Sequence, residues 1–279
     1  MLLTVDVGNT NTEFSLFAGD ELTHTFRIMT KANQTSDEIG LTVCEYFHRF
    51  GLNLDEVEDV IISSVVPEIM YSLKNAMVKY LGRQPLVVNE DVFPTLGYLG
   101  DLSALDGRGS IAHGADRSVA CMAAVELYGA PVLVLDFGTA TTLDAVRSDN
   151  VYIGGSICTG LRTTMEALAA NASMLPTIEL KAPDTFLGYD IPAHLRAGVV
   201  GGYIGGIEYL IRRTKAEMPE PDDQIRVVAT GGLSRMIAEN TDAIDVVNPE
   251  LIPEGLLRIY RKYRASHAPS GGTAEEAAT

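Results

Sequence analysis

Two stretches of this chain carry the residue types that hold a phosphate. "DVGNTNTE" starts at Asp6 and "DFGTATT" at Asp136, and each ends an apolar run with Asp-x-Gly, followed by Thr and Asn in the first and by Thr in the second. The carboxylate offers the oxygen ligands that a hydrated Mg²⁺ takes. Gly8 and Gly138 remove the Cβ that would keep the backbone away from a phosphate. The hydroxyls and amides of Thr10, Asn11, Thr12, Thr139, Thr141 and Thr142 are donors for phosphoryl oxygens. Either turn alone is also what an ordinary β-hairpin uses. Two of them facing across a cleft would grip a triphosphate from both sides, and no G-x-x-x-x-G-K-S/T loop is present for that task.

A third stretch, "GADRSVACMAA", places Asp116 at a helix start, beside Arg117 and after a Gly-rich approach. A carboxylate there can act as general base for a hydroxyl in phosphoryl transfer. It is also where an acid is simply favoured by the helix dipole. Arg117 has the fork that meets a carboxylate bidentately, or it forms an ordinary salt bridge. His113 reads as a loop residue, and Cys121 and Met122 as packing. In "VVATGGLSRM" an apolar strand runs into Thr230-Gly231-Gly232, either a backbone platform for adenine or ribose or a plain strand-to-helix turn.

The elements that must position these residues occur in a repeated order. Three strands, "LLTVDVG", "TEFSLFA" and "ELTHTFRI", precede a helix from Ser36, a strand "VEDVIISSVV", a helix with Ile69, Leu73, Met77 and Leu81 on one face, a strand "QPLVVN" and a helix ending at Gly129. From residue 130 the pattern returns: "PVLVLDFG", "ATTLDAVRS" and "NVYIGGSI", then helices from Leu161 and from Pro192 to Lys215, a strand "QIRVVATGG", a short helix from Ser234 and a final helix "EGLLRIYRKYR". The order β-β-β-α-β-α thus occurs twice, predicting two duplicated α/β halves, residues 1–129 and 130–265, with 266–279 a disordered tail.

Composition bounds the function. With 46% hydrophobic and 21% charged residues the chain reads as a globular protein, and its formal charge of −16 argues against a partner that is nucleic acid. Three well-separated cysteines, an N-terminus without a basic leader, and no run near the ~18 apolar residues of a membrane span point to a cytoplasmic protein that neither enters nor crosses a membrane.

The segments "DVGNTNTEFSLF", "ISSVVP", "GADRSVACMAA", "DFGTATTLDAV", "GGSI", "MEALAANASMLP" and "ATGG" occur in an order that resembles type III pantothenate kinases, from Met1 to about Arg264. The resemblance implies a duplicated actin-like (ribonuclease H-like) fold with an ATP cleft between the halves. It implies transfer of phosphate from ATP to pantothenate, with Mg²⁺ and a monovalent cation, K⁺ or NH₄⁺, in a homodimer whose active site lies near the interface. By position it makes Asp6, Val7, Gly8, Asn9, Thr10, Asn11, Thr12 and Glu13 the first ATP-phosphate loop and Thr139 a second phosphate contact. Asp6 would hold Mg²⁺ through water, Asp136 the monovalent cation. Gly114, Ala115, Asp116 and Arg117 become the pantothenate segment, with Asp116 the base. Tyr98 stands for the family's aromatic, Thr159 replaces a common Pro, and Ile191 sits where a neighbouring subunit's Thr would bind pantothenate. These departures leave open another hydroxyl acceptor, or a regulatory relative that binds ATP or pantothenate without turnover.

Overall fold

The computed structural model describes residues 1–88, 91, 92 and 114–267. Tyr98, His113 and residues 268–279 lie outside them. The first half opens with a meander, β1 (Leu2–Val7), β2 (Asn11–Ala18) and β3 (Glu21–Met29), turning at Gly19 with φ +65°. Helix α1 (Ser36–Phe50) starts at a Thr35/Glu38 capping box and stops at left-handed Gly51. Strand β4 (Asp59–Ser64) then lies parallel to β1, and α2 (Pro67–Ala76) continues through a π-helical turn, Met77–Leu81. Ile69, Leu73, Met77 and Leu81 are all buried, as their spacing predicts. The short β5 (Leu86–Val87) and α3 (Ala115–Tyr128) complete the half.

The second half repeats the plan with β6 (Val132–Phe137), β7 (Ala140–Val146), β8 (Tyr152–Thr159) and α4 (Leu161–Asn171). Helix α5 (Ile191–Leu195) passes through a π-helical turn, Arg196–Gly201, into α6 (Gly202–Lys215). Then come β9 (Arg226–Thr230), α7 (Ser234–Ala238), β10 (Val246–Val247) and α8 (Leu251–Ser266). The sheets run β3-β2-β1-β4-β5 and β8-β7-β6-β9-β10, so the duplication extends to strand order. The two-residue β10 is too short to leave a periodic signal in the sequence. The last helix runs on through Ser266, with His267 stacked on Tyr263, so residues 266 and 267 are ordered where the sequence predicted the start of a tail.

Strand alternation decides what faces what. In β1, Leu3, Val5 and Val7 pack toward α1 and α2; in β6, Leu133, Leu135 and Phe137 pack toward α4, α6 and α7. Leu2 of β1 and Val132 and Val134 of β6 face a third core, shared between the sheets and filled by α3 and α8. Asp6 and Asp136 continue these inward-facing rows by the two-residue period. The duplication therefore aims both acids at the space between the sheets. Among the described residues no helix is long and apolar enough to cross a membrane.

Helices α3 and α8 approach closely because Gly255 has no side chain. A Cβ there would fall 2.8 Å from Val119 Cγ1 and 3.0 Å from Ala123 Cβ. Gly255→Leu is expected to force the central helices apart and to cost about 1–3 kcal/mol in a urea melt. An unchanged midpoint would show that the central layer has slack.

Candidate active site

The two phosphate-type turns touch. Thr10 Oγ1 and Thr139 Oγ1 are 2.6 Å apart, joining the β1–β2 turn to the β6–β7 turn. Each turn is closed by its own backbone: Gly8 N donates to the Asn11 carbonyl at 3.0 Å, and Gly138 N to the Ala140 carbonyl at 3.1 Å. Thr30 donates to the Gly8 carbonyl and meets Thr12 at 2.9 Å. On the other side, Gly160 N and the Thr163 hydroxyl both donate to the Thr139 carbonyl. A Cβ on Gly160 would lie 2.3 Å from the Gly138 carbonyl oxygen, so β8 can leave under this turn only with glycine there. Asn9, Thr10, Asn11, Gly138 and Thr139 are exposed. Val7 and Thr12 are buried and brace the first turn from behind, where the sequence reading had them among the phosphate contacts.

Behind the turns stand carboxylates that repel one another. Burial pushes Asp6 well above the usual carboxylate range, and the charges of Asp116, Asp136 and Glu13 push it further. Asp136 rises to about 7, by burial first and then through Asp116, Asp144 and Glu13. Asp116 is raised by burial, opposed by the Arg117 N–H, which donates to its Oδ1 at 2.7 Å. Asp6 Oδ1 and the adjacent Ser63 Oγ are buried and complete no well-formed hydrogen bond among the described residues, though the Ser63 hydroxyl is near enough to pull the Asp6 pKa down against the effect of burial. A carboxyl oxygen so placed among other acids fits a cation, whose charge would favour its ionised form. No three metal-ligating side chains of the described residues cluster tightly enough to cage one. That donor set suits a cation held largely by water and by phosphate oxygens, with Asp6 and Asp136 as the protein's share.

Gly114 caps α3, and a Cβ there would fall 2.5 Å from Asp116 Oδ1 and 2.8 Å from Val65. The glycine lets the Asp116 side chain fold back over the helix start. Ala115 is buried behind it. Arg117 does not hold its fork open, as the reading of a carboxylate clamp required. Its Nε and Nη2 meet the two oxygens of Asp144 at 3.1 and 2.6 Å, and the Tyr152 hydroxyl donates to Asp144 Oδ1 at 3.0 Å. Gly231, at φ +87°, lets the β9 exit lie against Asp136 and Phe137. Ile191 opens α5 at the surface, 43% exposed, close in sequence to Phe186, Leu187 and Tyr189, which are exposed too. Cys158 is half-buried.

The sequence reading assigned no role to Asp144, Tyr152, Ser63 or Thr30. Only Asp144 left a signal, a charge inside the apolar run "TTLDAV". Tyr152 and Thr30 act through hydrogen bonds made by the tertiary fold, and Ser63 stands beside Asp6 by the β1–β4 register.

A family model described as type III pantothenate kinase matches residues 2–213. A type III pantothenate kinase of Agathobacter rectalis is 43% identical over 94% of this chain and 97% of its own. One from Geobacillus kaustophilus is 39% identical over 94% and 98%. Among solved structures, a candidate 2-dehydro-3-deoxygalactonokinase from Sinorhizobium meliloti aligns over 99% of this chain and 100% of its own, with a TM-score of 0.62 and 13% identity. A candidate Baf family transcriptional activator from Campylobacter jejuni covers 94% and 99%, with a TM-score of 0.57 and 18% identity. These two likenesses show the fold, the duplicated actin-like architecture of sugar kinases.

The raised acids make stability depend on pH. Asp136 ordinarily ionises near 3.8 and in the folded chain near 7, so between those values the folded chain keeps a proton that the unfolded chain has released. Stability of the ligand-free protein therefore falls as pH rises from about 4 to about 7, and Asp6 and Asp116 act in the same direction. Asp136→Asn should raise stability at pH 8 by up to ~4 kcal/mol and change it little at pH 4. Urea melts of both proteins at the two pH values test this; an equal difference at both would sink the assignment.

Proposed function

The chain belongs to the type III pantothenate kinase family, and on that premise we propose that it transfers the γ-phosphoryl group of ATP to pantothenate, with Asp116 as the general base. The product is 4′-phosphopantothenate, the first intermediate on the way to coenzyme A. The observation that carries the site assignment is the Thr10–Thr139 contact, which closes two phosphate-type turns around one set of inward-facing acids.

The triphosphate lies between the turns of residues 6–13 and 136–142, where backbone N–H groups and hydroxyls receive its oxygens. The halves that bear these turns are residues 1–129 and 130–265. Asp6 would hold Mg²⁺ through water and Asp136 a monovalent cation, K⁺ or NH₄⁺; bound there, these ions would supply the charge that lets a tetra-anion approach acidic side chains. Asp116 accepts the proton of the acceptor's primary hydroxyl. That oxygen bonds to the γ-phosphorus as the bond to the bridging oxygen of ADP breaks. Burial suits Asp116 to this role, because a carboxylate raised toward neutral pH is a stronger proton acceptor.

A second copy of the chain completes the site in this proposal. Leu187 and Tyr189 are 82% and 100% exposed, next to half-exposed Ile191, an apolar stretch that a partner subunit would cover. The three cysteines are free thiols, in keeping with a reducing cytoplasm.

ADP release is measured with ATP, Mg²⁺ and K⁺, with and without pantothenate. Turnover should require pantothenate, and Asp116→Asn should lower kcat by about 10²–10⁴-fold with ATP still bound. ATP binding without stimulation by pantothenate would point to another hydroxyl acceptor, for which Ile191 in place of Thr is the specific ground. Sedimentation should give a dimer, and Tyr189→Glu with Leu187→Glu should give a monomer of reduced activity; a wild-type monomer at full activity would sink the shared site.

A further inference from the structure

We propose that Asp144, with the Tyr152 hydroxyl, is a positioning residue that ties the acceptor segment to the second phosphate turn by holding the fork of Arg117. The inference rests on the kinase reading above, and its tests separate the two.

Asp144 is a charged residue in the middle of β7, on the face that looks toward α3, and only 2% of its side chain is exposed. Both of its oxygens are engaged by Arg117, and one also accepts from Tyr152. Burying an ion pair is costly, and such pairs persist where geometry rather than stability is at stake. The strand next to it has been emptied to make room. A Cβ on Gly155 would lie 2.7 Å from Asp144 Oδ1, 2.9 Å from Arg117 Nη2 and 2.3 Å from the Leu143 carbonyl oxygen.

The pair also spans the molecule. Arg117 belongs to the first turn of α3, and its own N–H fixes Asp116 Oδ1. Asp144 belongs to the strand that leaves the turn of Gly138 and Thr139. The path from base to phosphate turn is therefore short and stiff: Asp116, Arg117, Asp144, β7. Arg117 reaches back into the fold along it, and the geometry gives its guanidinium the work of aligning the base.

Asp144→Asn removes the charge and keeps the shape. Hydrogen exchange on the full chain should quicken at least tenfold in residues 114–122 and stay unchanged in β6. The kcat with pantothenate should fall by about 10²-fold, the cost of misplacing a reacting group by about 1 Å, while KM for ATP stays within about twofold. Tyr152→Phe leaves the Arg117–Asp144 bonds in place and should lower kcat by only about three- to tenfold. Unchanged exchange at 114–122, an unchanged kcat, or a uniform loss of protection with KM for ATP rising in step would overturn the tether. If Asp144→Asn does not fold, Tyr152→Phe decides: a kcat equal to wild type sinks the idea. A wild-type chain that does not turn over pantothenate defeats the kinase reading, and exchange alone then settles the tether.

Discussion

Three carboxylates, Asp6, Asp116 and Asp136, are held close enough to repel one another in a place with little water, and most of the structure serves that arrangement. Left to itself, such a cluster takes up protons or pulls apart. Here each acid is fixed by a different element. Asp6 and Asp136 end inward-facing rows of two central strands, so moving either would break a sheet. Asp116 sits in the first turn of a helix whose far end is packed between the sheets. A cation placed among them would relieve that repulsion, because it brings the positive charge that the protein withholds.

The need to bring two turns together explains why the chain is built twice. One sheet offers one strand end where a turn can stand free above a helix layer. Two sheets facing across α3 and α8 offer two, at a separation set by the helices between them. Gly255 sets the helix approach and Gly160 lets β8 leave beneath the second turn. Both glycines act through the space they leave empty.

Periodicity made the sheets legible in the sequence. Runs such as "LLTVDVG" and "PVLVLDFG" announce strands, and the paired Asp-x-Gly ends announce that the halves converge. The first ten residues thus predicted the place of Asp6 and its turn. Two-residue strands such as β10 have no period to read. Arg117 shows a different limit: its residue type fits a carboxylate ligand as well as a buried carboxylate of the protein, and only the fold shows that Asp144 is the one beside it. Thr12 is another such case, since a Thr in a phosphate-type turn can face outward or, as here, bond Thr30 behind it.

The duplication also shows which features belong to the scaffold and which to chemistry. Pairing registers align the halves: Asp6 lies beside Ser63 of β4, and Asp136 beside Thr230 of β9, so each acid has a hydroxyl residue on the neighbouring parallel strand. Thr12 and Thr141, one step from the acids in the antiparallel register, are both buried and both bonded, to Thr30 and to Tyr203. These shared positions hold the turns. Three residues further the copies part. Ser15 in β2 bonds Thr25 across to β3, a neutral contact within one sheet. Its counterpart Asp144 in β7 faces Gly155 instead, and its charge goes to Arg117 of α3. The second copy has a carboxylate and an empty space where the first has two hydroxyls. Helix α3 has Asp116 as its second residue, whereas its counterpart α8 begins Leu251-Ile252-Pro253 and carries its first-turn acid, Glu254, after them, where it accepts from Asn248. The symmetric part of the molecule brings two turns together from opposite sheets. The link from Asp116 through Arg117 to Asp144 occurs once, between α3 and the second copy's β7.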